Sequence, residues 1–138
     1  MMTRQKMFRL AAAITPEGDW SWEDFEHRLT RQLDCAVRCI TSDSLTSGEL
    51  TGAALRTANG TAIIVIPGNV STAHRIHIAA HEAWHLLAGH DGCDQNSRRE
   101  AKAEAFATTV GTLAEGRGNE PRTNRALTAA FGAVGIVA

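Results

Sequence analysis

The run His81-Glu82-Ala83-Trp84-His85 constrains this chain more than any other feature. On a helix, residues i and i+4 stack on one face, so the two imidazoles can reach a single Zn²⁺ at about 2.0 to 2.1 Å while the backbone stays regular. Glu82 then lies beside the first histidine, close enough to serve as general base toward a water without being a ligand. An ion held by two histidines with a position left open needs one further protein ligand. The helix must therefore pack beside an element that returns one.

Two residues compete for that place. Glu100, separated from His85 by fourteen residues, lies near the start of the next helical pattern, and Glu104 follows one turn later, where it can accept a proton from a ligand histidine and fix its tautomer. Asp91, six residues after His85, imitates the H-E-x-x-H-x-x-G-x-x-[HD] layout, but that layout needs a glycine where Ala88 stands. It also needs a downstream methionine turn, and the only methionines are Met1, Met2 and Met7. Glu100 is the favoured ligand. Glu82-x-x-His85 also fits half of a di-iron carboxylate site, yet the nearest second half, Asp24-x-x-His27, has the wrong acid.

The surrounding pattern predicts an α+β domain. Ser21-Trp22-Glu23-Asp24 has capping-box spacing, and Trp22, Phe25, Leu29, Leu33, Ala36 and Ile40 recur at helical intervals, which predicts a helix over 22–40. Segments Glu49 to Arg56 and Thr61 to Ile66, joined at Asn59-Gly60, predict an antiparallel hairpin. The second of these is apolar throughout, which suggests cover on both faces and a backbone edge open to an extended substrate. Ser71 or Thr72 caps the motif helix, which runs to about Ala88 and stops at Gly89 and Gly92. Ser97-Arg98-Arg99-Glu100 forms another capping box, opening a third helix with Ala103, Phe106, Ala107, Val110 and Leu113 on its buried face. Gly116 and Gly118 are expected to end it. Residues 1–138 read as one domain, with 1–20 and 119–138 expected to be flexible and only a weak helical pattern around Ala126 to Phe131.

Composition narrows the classes of function. Alanine supplies 23 of the 138 residues and aromatics only 5%, so the core must be thin and built from small side chains. A net charge of −1 gives no general attraction to nucleic acid or anionic lipid, and Arg117, Arg122 and Arg125 form a loose patch diluted by Glu115 and Glu120. No apolar run approaches the roughly 20 residues of a membrane span. Leu10 to Ile14, after Arg4, Lys6 and Arg9, is too short for a secretory signal, so a cytoplasmic location is expected. Cys35, Cys39 and Cys93 are odd in number and read as free, half-buried thiols.

Thr61 to Ile66, the stretch from Arg75 through His81-Glu82-Ala83-Trp84-His85-Leu86-Leu87 to His90, and Glu100-Ala101-Lys102-Ala103-Glu104-Ala105-Phe106-Ala107 together resemble the ImmA/IrrE-type metallopeptidases. That family pairs an H-E-x-G-H-L-L-x-x-H helix with a later E-x-E-A-x-x-F-A helix in a small gluzincin-like core, and the likeness spans about residues 49 to 110. Trp84 stands where the family has glycine, and its ring is expected to pack in the core. Lys102 replaces a common glutamate, and Val110-Gly111-Thr112-Leu113 stands in place of the Leu-Met-Pro that often closes the third helix.

The resemblance implies zinc held by His81, His85 and Glu100, with Glu82 as general base. It further implies hydrolysis of a peptide bond in a helix-turn-helix repressor or antitoxin. Such peptidases stabilise the tetrahedral oxyanion with tyrosine, histidine or arginine; this chain has no tyrosine, which leaves His74, His77, His90 and Arg75. A zinc-stabilised toxin or regulatory binding module, and a non-peptidase zinc hydrolase, are the competing classes. After the metal-bearing helices only about two dozen residues remain, too few for a second lobe, so the cleft is expected to be shallow or completed by a partner, a second subunit or the substrate.

Overall fold

A computed structural model of the protein describes residues 3–43, 52–89 and 97–131, with 119–131 described by backbone alone. Helices α1 (Arg4–Ile14) and α2 (Trp22–Leu33) precede strands β1 (Val37–Ser42), β2 (Ala53–Arg56) and β3 (Ala62–Pro67). Two helices follow, α3 (Thr72–Ala88) and α4 (Ser97–Phe131). This is the expected α+β arrangement, with a histidine-bearing helix and a glutamate-bearing helix beside a small sheet.

Helix α1 is an element that the sequence reading does not place. Thr3 caps it by accepting from the Lys6 amide at 3.1 Å, and Ala11 and Ile14 enter the core with Met7 and Leu10 packed against it. Spacing 7, 10, 11, 14 is a helical face, but so short a stripe is easily taken for a run of apolar residues.

Helix α2 starts as expected, with Ser21 accepting from the Asp24 amide at 3.1 Å, and buries Phe25 and Leu29. The Asp24 carboxylate turns instead to Arg28, at 3.0 Å. The helix stops at Leu33, not at 40. Asp34 adopts a left-handed conformation (φ 56°, ψ 37°) and its amide bonds back to the Thr30 carbonyl, closing the last turn. The chain beyond becomes β1, so Cys35 and Cys39 are not one helical turn apart. Both are free and half-buried; Cys93 lies outside the described residues.

Burial, reinforced by the Glu26 carboxylate that accepts from the Cys39 amide at 2.7 Å, pushes the Cys39 thiol up to about 12. At pH 8 on the order of 10⁻⁴ of it is thiolate, the reactive form. Cys39 is therefore expected to alkylate at least about 100-fold more slowly than free cysteine, as read by peptide mapping; labelling at the free rate would contradict its burial.

The sheet is mixed, in the order β1-β3-β2, which corrects the small antiparallel sheet that the predicted hairpin implied. The β2–β3 hairpin is antiparallel as anticipated, with Gly60 at φ 90° in its turn. Strand β1 adds in parallel along the other side, pairing Val37 with Ala62 and Ser42 with Pro67. Strand β3 is thus central and paired on both sides, so it offers no backbone edge; the open edges among the described residues belong to β1 and β2. Nor is β3 equally covered on both faces. Ala62, Ile64 and Ile66 are buried, whereas Ile63 and Val65 are only half-buried beside exposed Leu55 and Ile40. Positions 49–51 of the expected first strand lie outside the described residues.

Helix α3 is capped by Ser71, which accepts from the His74 amide at 3.1 Å, and ends at Gly89 (φ 75°, ψ 24°). Helix α4 does not stop at Gly116 and Gly118. An interior glycine costs a helix only about 1 kcal/mol, and Arg117 between them donates to the Ala12 and Thr15 carbonyls at 3.0 and 2.7 Å. Arg117 therefore satisfies carbonyls at the end of α1 and is no part of a solvated basic patch.

The core is thin and rich in alanine, as composition required: Ala79, Ala80 and Ala83 on α3 and Ala103 and Ala107 on α4 are fully buried. Small side chains let these two helices approach closely. Trp84, 2% exposed, packs against Phe106 with ring centroids 5.2 Å apart and planes inclined by 40°, so it lies in the core and leaves the motif's other face free.

Candidate metal centre

Helix α3 presents His77, His81 and His85 at successive turns, and α4 presents Glu100 and Glu104 in the opposite direction. The carboxylate of Glu100 is shared between two imidazoles: Oε2 lies 2.9 Å from His81 Nε2 and Oε1 lies 3.1 Å from His85 Nε2. His85 is buried (8% exposed), so a polar ring is held away from water and needs partners inside the protein.

One ligand atom from each of His81, His85 and Glu100 falls within 4.8 Å of the others. Tetrahedral zinc with bonds of 2.0 to 2.1 Å separates its ligand atoms by about 3.4 Å. The two separations from Glu100, 2.9 and 3.1 Å, are a few tenths of an ångström short of that spacing, and no pair in the triad exceeds 4.8 Å, so side-chain rotation would bring the three atoms onto one ion. Two neutral imidazoles and one carboxylate are also the donor set that divalent zinc accepts.

Glu104 faces the other side of the first histidine. Its Oε2 accepts from His81 Nδ1 at 2.7 Å and from His77 Nε2 at 3.0 Å. Partial burial alone would raise the Glu104 carboxyl, but hydrogen bonds from His81 and His77 outweigh it and hold the group below the ordinary carboxylate range. With Nδ1–H given to Glu104, the Nε2 lone pair of His81 is directed to the triad.

Glu82 lies on the same cleft. Burial pushes its carboxyl above the ordinary range, the nearby His81 lowers it in part, and Glu100 raises it again. The cleft holds about 340 Å³, and His74 and Ile78 complete a lining otherwise made of the residues just described. A larger, open depression of about 530 Å³ lies over Arg38, Ile40 and the hairpin turn, but it has no cluster of acid, base or metal-ligating groups. The chemistry belongs to the smaller cleft.

Of the four histidine and arginine candidates for oxyanion stabilisation, His74 and His77 line the cleft. The Nε2 of His77 is engaged by Glu104. Arg75 is not in the lining; its guanidinium reaches Thr72 Oγ1 at 3.5 Å, and its Nε is buried. His90, like the less favoured ligand candidate Asp91, lies outside the described residues.

The sequence reading missed Gly52 and Ile78. A Cβ placed on Gly52 would stand 2.5 Å from Ile78 Cγ2 and 3.5 Å from Glu82 Cγ, so only glycine lets the start of β2 pass so close to α3. A lone glycine before a strand carries no signal of that approach.

Two histidines and a glutamate on antiparallel helices beside a small mixed sheet define a zincin-like metal-binding triad, consistent with an H-E-x-x-H metallopeptidase fold. Comparison of the chain with protein-family models, with curated proteins and with solved structures returns no match.

Proposed function

We propose that this protein is a zinc metalloendopeptidase that hydrolyses a peptide bond in a selected cytoplasmic protein. The observation that carries the reading is the Glu100 carboxylate shared between His81 and His85, with the half-buried Glu82 on the same cleft. Zinc, when bound, supplies a Lewis acid that polarises the scissile carbonyl and lowers the pKa of a water. Glu82 would accept a proton from the attacking water and return it to the departing amine. Glu104 keeps His81 in the ligating tautomer. His74, on the same cleft and in a chain without tyrosine, donates to the developing oxyanion.

Substrate docks as an added strand on the edge of β2 that is open among the described residues, just after Gly52, which passes beside Glu82. The likeness to ImmA/IrrE-type enzymes makes a helix-turn-helix repressor or antitoxin the favoured substrate. A selective target suits a small intracellular enzyme with a shallow cleft, completed by the substrate or a second subunit. Nucleic acid and membrane have no part in this reading; none of the described helices is long and apolar enough to cross a membrane.

The test is metal analysis combined with incubation against the helix-turn-helix product of a neighbouring gene, followed by mass spectrometry. About one zinc per chain and a single defined cut, lost with 1,10-phenanthroline, are expected. A stable complex with an uncut partner would replace the peptidase with a zinc-stabilised binding module.

A further inference from the structure

His77 lies one turn before His81 on α3, and Glu104 one turn after Glu100 on α4. Because the helices run antiparallel, these four residues form two adjacent rungs. His81 Nε2 meets Glu100 on the first, and His77 Nε2 meets Glu104 on the second. The rungs are joined because His81 Nδ1 and His77 Nε2 converge on the same oxygen, Glu104 Oε2, at 2.7 and 3.0 Å. The Glu104 side chain is 58% exposed, and a glutamate so open to water retains most of its rotamer freedom unless something holds it. One bond from His81 leaves the carboxylate free to pivot; a second from a neighbouring turn does not.

We propose that His77 is a positioning residue for the metal centre: by donating Nε2–H to Glu104 Oε2 it locks the carboxylate that orients His81, and so strengthens binding of a divalent cation at His81, His85 and Glu100. The inference rests on the reading of those three residues as ligands. It assigns His77 to the support of the site and not to the substrate, since the nitrogen an oxyanion would need is already engaged. A histidine at this place is useful where an aliphatic residue would not be, because Ile78 and Ala80 on the same turn of α3 offer no donor to α4.

The test is competition for Zn²⁺ against a chromophoric chelator, using the full chain and the variants His77→Phe, His77→Ala, His77→Gln, Glu104→Ala and His77→Phe/Glu104→Ala. Loss of a hydrogen bond that orients a ligand weakens metal binding by roughly 10- to 100-fold, the effect expected for Glu104→Ala. His77 acts one step further out, so His77→Phe and His77→Ala are expected to lose about 3- to 10-fold. His77→Gln, which returns an amide donor at similar reach, is expected to recover most of that loss, as a merely space-filling role would not. The double variant should bind zinc no more weakly than Glu104→Ala alone. Wild-type affinity in both His77→Phe and His77→Ala would overturn the proposal, and so would an equal loss from His77→Phe in the presence and absence of Glu104. Circular dichroism melts show which variants fold, and the alanine and glutamine variants carry the test if phenylalanine is not accommodated. A wild-type chain that takes up no zinc would overturn the metal reading itself, and this inference with it.

Discussion

Glu82→Gln is expected to bind zinc within about threefold of the wild-type protein and to cut its substrate some 10²- to 10⁴-fold more slowly, the range for loss of a general base. That is roughly 3 to 5 kcal/mol of lost transition-state stabilisation. Glutamine keeps the shape and hydrogen-bonding reach of glutamate but cannot take a proton. The retained metal follows from geometry, since the triad consists of His81, His85 and Glu100 and does not include Glu82. The lost rate follows from chemistry. Burial sets the Glu82 carboxyl above the ordinary range, and among the described residues no other carboxylate lining the cleft is uncommitted. Glu100 belongs to the triad, its oxygens facing His81 Nε2 and His85 Nε2, and Glu104 is held by His77 and His81. Zinc affinity by chelator competition and cleavage rate by mass spectrometry separate the two effects. Unchanged cleavage would remove Glu82 from the reaction, and an unchanged biological effect without cleavage would leave a binding module.

The site was more legible in the sequence than the fold around it, for a physical reason. Metal chemistry demands particular residue types at helical spacing, so His81, Glu82 and His85 announce themselves, and the choice of Glu100 over Asp91 could be argued from Ala88 and the missing methionine turn. Helix boundaries rest on weaker signals. Ala36 and Ile40 continue the apolar stripe of α2 by coincidence of period, and nothing in the residue type of Asp34 required a left-handed conformation there. Strand β1 consequently went unseen, and with it the central position of β3 and the parallel pairing. Gly116 and Gly118 read as a stop because glycine usually ends helices, yet the tie from Arg117 to α1 spans more than a hundred residues and has no local trace. The approach of Gly52 to Glu82 is of the same kind, since it exists only once the sheet is laid on α3.

Glu100→Ala is expected to weaken zinc binding by about 10³-fold or more, because a structural or catalytic zinc needs at least three protein donors and two histidines on one helix hold it poorly. Asp91→Ala is expected to bind zinc as the wild type does, which tests the choice between the two acids directly. Glu100 is useful only because α4 is held in register with α3. The Trp84–Phe106 contact and the buried alanines at 79, 80, 83, 103 and 107 fix that register, and they place the carboxylate with one oxygen facing each imidazole. A ligand delivered in this way couples metal binding to the packing of the two helices. Zinc at 1,000 times its dissociation constant stabilises a folded protein by about 4 kcal/mol, so the wild-type melting temperature should rise on adding zinc. That rise should vanish in Glu100→Ala and persist in Asp91→Ala. A full zinc-dependent rise in Glu100→Ala would mean that the third donor comes from elsewhere in the chain, and the triad would have to be redrawn around His81 and His85 alone.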